Sequence, residues 1–179
     1  MNIKTLTNIF DCIASQIDNY EEEYSLCLNA GGCGFVALCL YDILSKYFPC
    51  KIRMFDYEHI RVQHNGRNFR SITSVVNNCD INSIRDLWDM DMNLVHVVVE
   101  IDIKGKKYMA DSTGIYAASM MKLKWAQYTL VKGHIPRAKM KKLWDNERGW
   151  NDSFDRENCG IVEDIIVSEL EVLNFKRVA

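Results

Sequence analysis

The stretch Leu94-Val95-His96-Val97-Val98-Val99-Glu100-Ile101-Asp102-Ile103-Lys104-Gly105-Lys106-Lys107-Tyr108-Met109-Ala110-Asp111 decides the fold. Leu94 to Ile103 is rich in β-branched residues and reads as a strand, Lys104-Gly105 as a turn, and Lys106 to Ala110 as the returning partner. Val95, Val97, Val99 and Ile101 line one face of the first strand; Leu94, His96, Val98 and Glu100 line the other. A two-residue loop pairs Ile103 with Lys106 and Val98 with Asp111. His96 and Asp111 then share a face as diagonal neighbours, roughly 7–8 Å apart between backbones. A four-residue loop keeps that parity, whereas a three-residue loop without a bulge reverses it.

Working outward, the periodicity changes from two to 3.6. Ile3, Leu6, Ile9, Phe10, Ile13 and Ile17 predict a helix from Ile3 to Tyr20, with Glu21-Glu22-Glu23 as its solvated end. After the glycine break Asn29-Ala30-Gly31-Gly32, the residues Cys33, Ala37, Leu40, Leu44 and Phe48 form one stripe of a helix that Pro49 stops. Lys51 to Tyr57 and Ile60 to His64 read as short strands, with Asn65-Gly66 as a turn. Asn77 to Asp80 reads as a loop, and Ile81 to Asp89 as a short helix capped by Asp80. Ala117 to Tyr128 reads as a helix or partly a strand. Pro136 starts a helix over Arg137 to Arg148. Ile161 to Leu173 has helical spacing, with a strand as the alternative.

The chain has 179 residues, 48% of them hydrophobic, and a net charge of −2. That length predicts one domain, and the helices and strands read above make it α+β, with helices packed on a small antiparallel sheet. Its core spans about 29–114, preceded by an N-terminal helix (1–28) and followed by a mainly helical extension (115–179). The charge balance argues against a nucleic-acid partner. No apolar run reaches the ~20 residues of a membrane span. Seven cysteines without a secretory signal point to free thiols in the cytoplasm. No Cys or His spacing matches a metal motif, so no metal and no cofactor are expected.

One of those thiols has a distinctive setting. Gly31-Gly32-Cys33-Gly34 leads into a helix, where unpaired N–H groups and the dipole favour a thiolate. Gly32 and Gly34 leave room for a substrate backbone to approach. The same residues also read as a small buried Cys at a helix start. A thiolate catalyst needs a base and an orienting acceptor. His96 and Asp111 supply both if the hairpin register holds, although Asp111-Ser112-Thr113-Gly114 reads equally as a strand-ending turn.

Glycine-Cys at a helix start, His on a strand and Asp on the adjacent antiparallel strand resemble the transglutaminase-like branch of the papain-like cysteine enzymes. The segments His96 to Glu100 and Lys107 to Thr113 are similar to that family's His strand and Asp-x-Thr strand end. Gly34 stands where animal transglutaminases carry an aromatic residue. The resemblance implies a papain-like or transglutaminase-like core and acyl chemistry on an amide of a protein or peptide. Cys33, His96 and Asp111 would be the catalytic residues, and the Cys33 N–H with Asn29 the oxyanion donors. Water as acceptor gives a protease or a glutamine deamidase; an amine gives an acyltransferase. The alternative from another class is a non-catalytic protein-binding module on the same fold. A thiol activated in this way is expected to alkylate below neutral pH faster than the other six.

Overall fold

A computed structural model describes residues 3–24, 32–56, 62–64, 66–83, 86, 87, 89, 90, 92, 95–145 and 156–175. Helix α1 (Ile3–Tyr24) continues through the acidic triplet that was expected to end it. Glu is a good helix former, so the helix loses nothing there by continuing. Helix α2 (Cys33–Leu44) ends four residues before the predicted Phe48. Tyr47 and Phe48 both bond back to the Leu44 carbonyl in a tightened turn, as expected for a chain approaching Pro49.

Strand β1 (Cys50–Asp56) follows. Then β2 (Val62–His64) and β3 (Arg67–Phe69) form a small hairpin, with Gly66 at φ 73° in its turn. Helix α3 (Ile72–Asn78) has no counterpart in the sequence reading, which placed a loop at its end. Ser71 caps it by accepting from the Ser74 N–H at 3.2 Å. Downstream, the Asp80 carboxylate takes Lys142 Nζ at 3.2 Å. Ser83 and Asp86 exchange side-chain-to-backbone bonds of 3.1 Å each way, and residues 84, 85 and 88 of the expected helix lie outside the described residues.

The decisive hairpin is β4 (His96–Ile103) and β5 (Lys106–Asp111). Ile103 pairs with Lys106 and Val99 with Ala110, the register expected from a two-residue loop. Lys104 and Gly105 have φ of 54° and 80°, so both turn residues are left-handed, as a type I′ turn requires. Beyond it, β6 (Gly114–Ala117), α4 (Ala118–Lys124) and β7 (Thr129–Leu130) resolve the ambiguous stretch 117–128 into helix flanked by strands. Helix α5 (Arg137–Asp145) starts after Pro136. Helix α6 (Arg156–Phe175) is longer than the predicted 161–173 and contains no strand.

The protein is thus α+β, with a five-stranded antiparallel sheet in the order β6-β5-β4-β1-β7. Strands from the C-terminal third lie at both edges, so that part belongs to the sheet. One face of the sheet packs on α1, α2 and α6 through residues such as Phe10, Ile13, Leu40, Val97, Val99, Ile166 and Leu170. The other face packs on α4 and the residues after it, through Phe55, Val98, Met109 and Met121. Covering both faces explains why β4 reads as a continuous apolar run. Each fully buried Leu, Ile or Val contributes about 1.5–3 kcal/mol.

The turn carries a direct test. Lys104→Asn is expected to raise the midpoint of thermal unfolding, because Asn tolerates the left-handed region better than Lys. Gly105→Ala is expected to lower stability by about 1–2 kcal/mol with no steric clash, since nothing lies within 4 Å of an added methyl. Equal stabilities for all three chains in urea titration would reject this account of the register.

Candidate active site

His96 opens β4 and is fully buried on the face covered by α4. Asp111 closes β5 and is 2% exposed. Their side chains meet as the diagonal register predicts: His96 Nε2 lies 3.0 Å from Asp111 Oδ2. The second carboxylate oxygen takes the Thr113 N–H at 2.9 Å and the Thr113 hydroxyl at 2.7 Å. Asp111-Ser112-Thr113-Gly114 is therefore a strand-ending turn and also the holder of the carboxylate. Burial works to raise the Asp111 pKa. The hydrogen bond and charge of His96, the Thr113 bonds and the Lys124 charge outweigh burial and hold it below the usual carboxylate range. An ionised Asp111 accepts only, so Nε2 carries the proton. In the neutral imidazole Nδ1 is then the basic atom; it is buried and has no hydrogen-bond partner among the described residues. The imidazole face stacks on Trp125, with ring centroids 4.0 Å apart and planes 20° from parallel.

Cys33 is the first residue of α2, which packs on the opposite face of β4 and β5. Strand N–H groups alternate sides. Asp102 donates toward β1 through the Pro49 carbonyl, so the Val97 N–H faces β5. At that level β5 has ended and the chain turns. The Cys33 sulfur lies against this N–H, beside the first N–H groups of its own helix. The thiol thus comes to the strand residue next to His96 and senses the Asp111 charge. It is not hydrogen-bonded to His96 Nδ1 in this structure.

The expected thiolate is not what the site favours. Burial pushes Cys33 up to about 11, against the lowering by the Val97, Gly34 and Cys33 N–H groups, while the Asp111 charge pushes the same way as burial. The helix start has no side-chain cap and offers its N–H groups, as anticipated. A helix terminus is worth about 0.3–2 kcal/mol, whereas full desolvation shifts a pKa by up to ~3–5 units. Desolvation wins, and Cys33 rests as a neutral thiol. Cys39 and Cys50 are raised by burial as well.

Gly32 is the N-cap of α2 and is buried. Gly34 does not leave open space beside the sulfur. A methyl there would meet the Trp144 ring at 2.5 Å and 2.7 Å, so the glycine is what lets α5 pack against the start of α2. Asn29 lies outside the described residues. The sequence reading missed Thr113 and Trp125 as parts of the site. The Asp-x-Thr spacing was a usable signal for the first; only the fold brings the second to His96. Glu100, on the His96 face, is buried and paired with Arg53 at 2.6 Å and Lys107 at 3.0 Å. Among the described residues, no group of three or more His, Cys, Asp or Glu side chains is placed to hold a metal ion. No helix among them is long and apolar enough to cross a membrane. No protein-family model, no curated protein and no solved structure matches this chain.

Three outcomes follow. Alkylation of Cys33 by iodoacetamide is expected to be slow at neutral pH and to rise toward pH 11, in place of the fast labelling below neutrality that the helix start suggested. The raised pKa makes the fold sensitive to alkali: it costs nothing below the unfolded thiol's pKa of ~8.5, and stability falls as pH climbs from there to the folded value. The fall is on the order of 3 kcal/mol, so Cys33→Ala is expected to flatten the alkaline decline of stability in urea titrations. Gly34→Ala is expected to cost about 1–3 kcal/mol, and Trp144→Leu in the same chain to recover part of it. Additive losses in the double variant would show that the two sites do not touch.

Proposed function

We propose that the chain is a cysteine-nucleophile hydrolase that opens an amide, a peptide bond or a glutamine carboxamide, through a thioester, on a papain-like or transglutaminase-like core. One observation carries this reading. The imidazole of His96 gives Nε2 to Asp111 and keeps Nδ1 buried and unpartnered, one residue from the Val97 N–H against which the Cys33 sulfur lies. A buried polar atom without a partner costs about 1–3 kcal/mol, and a role as base is one physical reason to keep it.

In this mechanism Nδ1 takes the proton from the Cys33 thiol as the sulfur attacks the carbonyl carbon. The imidazolium that forms is stabilised by ionised Asp111 through Nε2–H. Backbone N–H groups at the start of α2 face the developing oxyanion. As the C–N bond breaks, Nδ1–H protonates the departing nitrogen and leaves a thioester. Water then attacks the thioester, Nδ1 takes its proton, the C–S bond breaks with return of that proton to sulfur, and a carboxylic acid is released. Because Cys33 rests neutral, proton transfer accompanies attack rather than preceding it.

A second reading has its own support. Cys33, His96 and Asp111 are 4%, 0% and 2% exposed, a closed arrangement that suits a non-catalytic protein-binding module on the same fold. Incubation with denatured proteins and mass spectrometry of the products separates the two. The hydrolase reading expects cleavage, or the small mass gain of Gln becoming Glu. Asp111→Asn is expected to lower kcat on the order of 10⁴-fold, and Cys33→Ala on the order of 10⁶-fold. Turnover that survives in Cys33→Ala overturns Cys33 as the nucleophile, and its absence from the unaltered chain favours the binding module.

A further inference from the structure

Helix α4 ends against the His96–Asp111 pair. Its last turn closes with the Trp125 N–H on the Met121 carbonyl at 3.1 Å, and two consecutive side chains leave that end in different directions. Trp125 lies over the His96 ring at 4.0 Å. It is walled in by Phe55 at 6.2 Å and Tyr128 at 6.0 Å between ring centroids. Its indole N–H is buried and makes no hydrogen bond, so the ring is held by packing alone. Lys124, which is exposed, donates to the Thr113 hydroxyl and sits 4.9 Å from the centre of the Tyr116 ring. The Tyr116 hydroxyl donates to the Thr113 carbonyl at 2.7 Å. Thr113 in turn donates twice to Asp111 Oδ1, which leaves Oδ2 for the imidazole.

We propose that Lys124 and Trp125 form a clamp at the end of α4 that fixes the His96–Asp111 pair with Nδ1 free, and that both are positioning residues for the base. The clamp rests on the reading of His96 as base and Asp111 as its orienting acid. Trp125 blocks rotation of the imidazole out of the Asp111 plane and offers its π-face to the positive charge that forms during proton transfer. Lys124 acts on the acid through Thr113, keeping Asp111 ionised and its free lone pairs directed at Nε2. The charged groups that act on Asp111 are His96 from β4 and Lys124 from α4; Tyr116 from β6 reaches it through Thr113, and the Cys33 thiol at the start of α2 senses its charge. Arg53, Glu100 and Lys107 lie further along the same sheet face, where Glu100 pairs with the other two.

The test needs no substrate, so its failure and a failure to find hydrolysis are separate results. Imidazole nitrogen and carboxyl carbon NMR spectra of the full chain would be recorded as a function of pH. The unaltered protein and Trp125→Phe are expected to show one pyrrole-like and one pyridine-like nitrogen in His96. Trp125→Leu is expected to show the averaged signals of two exchanging tautomers and to lose the ring-current shift of the imidazole protons. Lys124→Gln, a surface change that leaves the core intact, is expected to move the Asp111 titration upward. Lys124→Arg is expected to return it. The clamp is overturned if Trp125→Leu keeps the single tautomer, or if Lys124→Gln titrates with the unaltered chain.

Discussion

The buried hydrogen bond between His96 and Asp111, 3.0 Å long, is the contact around which the rest of the structure is arranged. Two polar side chains at 0% and 2% exposure are costly inside a protein unless each satisfies the other. The bond forms because the β4–β5 turn contains two residues, so that even-numbered residues of β4 and odd-numbered residues of β5 share a face. One residue more in that turn, without a bulge, would send Asp111 to the α2 side and leave His96 with no acceptor. The left-handed φ of Lys104 is therefore tied to the register, and the register to the pair.

Around this bond the sheet carries two unlike layers. The α1–α2–α6 side is aliphatic and large, and it supplies most of the buried apolar surface. The α4 side is smaller and mixes aromatic rings and Met side chains with ion pairs and hydrogen bonds. Glu100 pairs there with both Arg53 and Lys107. The Arg53 guanidinium also donates to the Val131 carbonyl at 2.9 Å, joining β1 to the segment after β7. The thick layer stabilises the fold, and the thin one holds the groups that carry the candidate chemistry. Cys33 belongs to the thick layer but reaches the sheet where β5 has stopped.

Competition between dipole and desolvation decides the state of that thiol. A helix start favours the anion by a modest amount, but Trp144 and the sheet remove the water that would have shared the charge. The outcome is a thiol held near pKa 11 beside the Val97 N–H. Gly34 contributes through packing: without a side chain it admits the Trp144 ring beside the start of α2.

Local pattern was enough for the hairpin, its register and the facing of His96 with Asp111, because turn length and strand parity are properties of neighbouring residues. It was enough as well for α1, α2 and α6 in outline, where apolar residues recur at helical spacing. It was not enough for α3, whose Ile72, Val75 and Val76 are too few to show a period, nor for β6 and β7, which are strands only because β5 and β1 offer them an edge. Three further matters were settled by tertiary structure alone: Trp125 over the imidazole, Trp144 against Gly34, and the neutral resting state of Cys33. Each depends on segments far apart in the chain meeting in space and excluding water, and spacing along a sequence carries no measure of either.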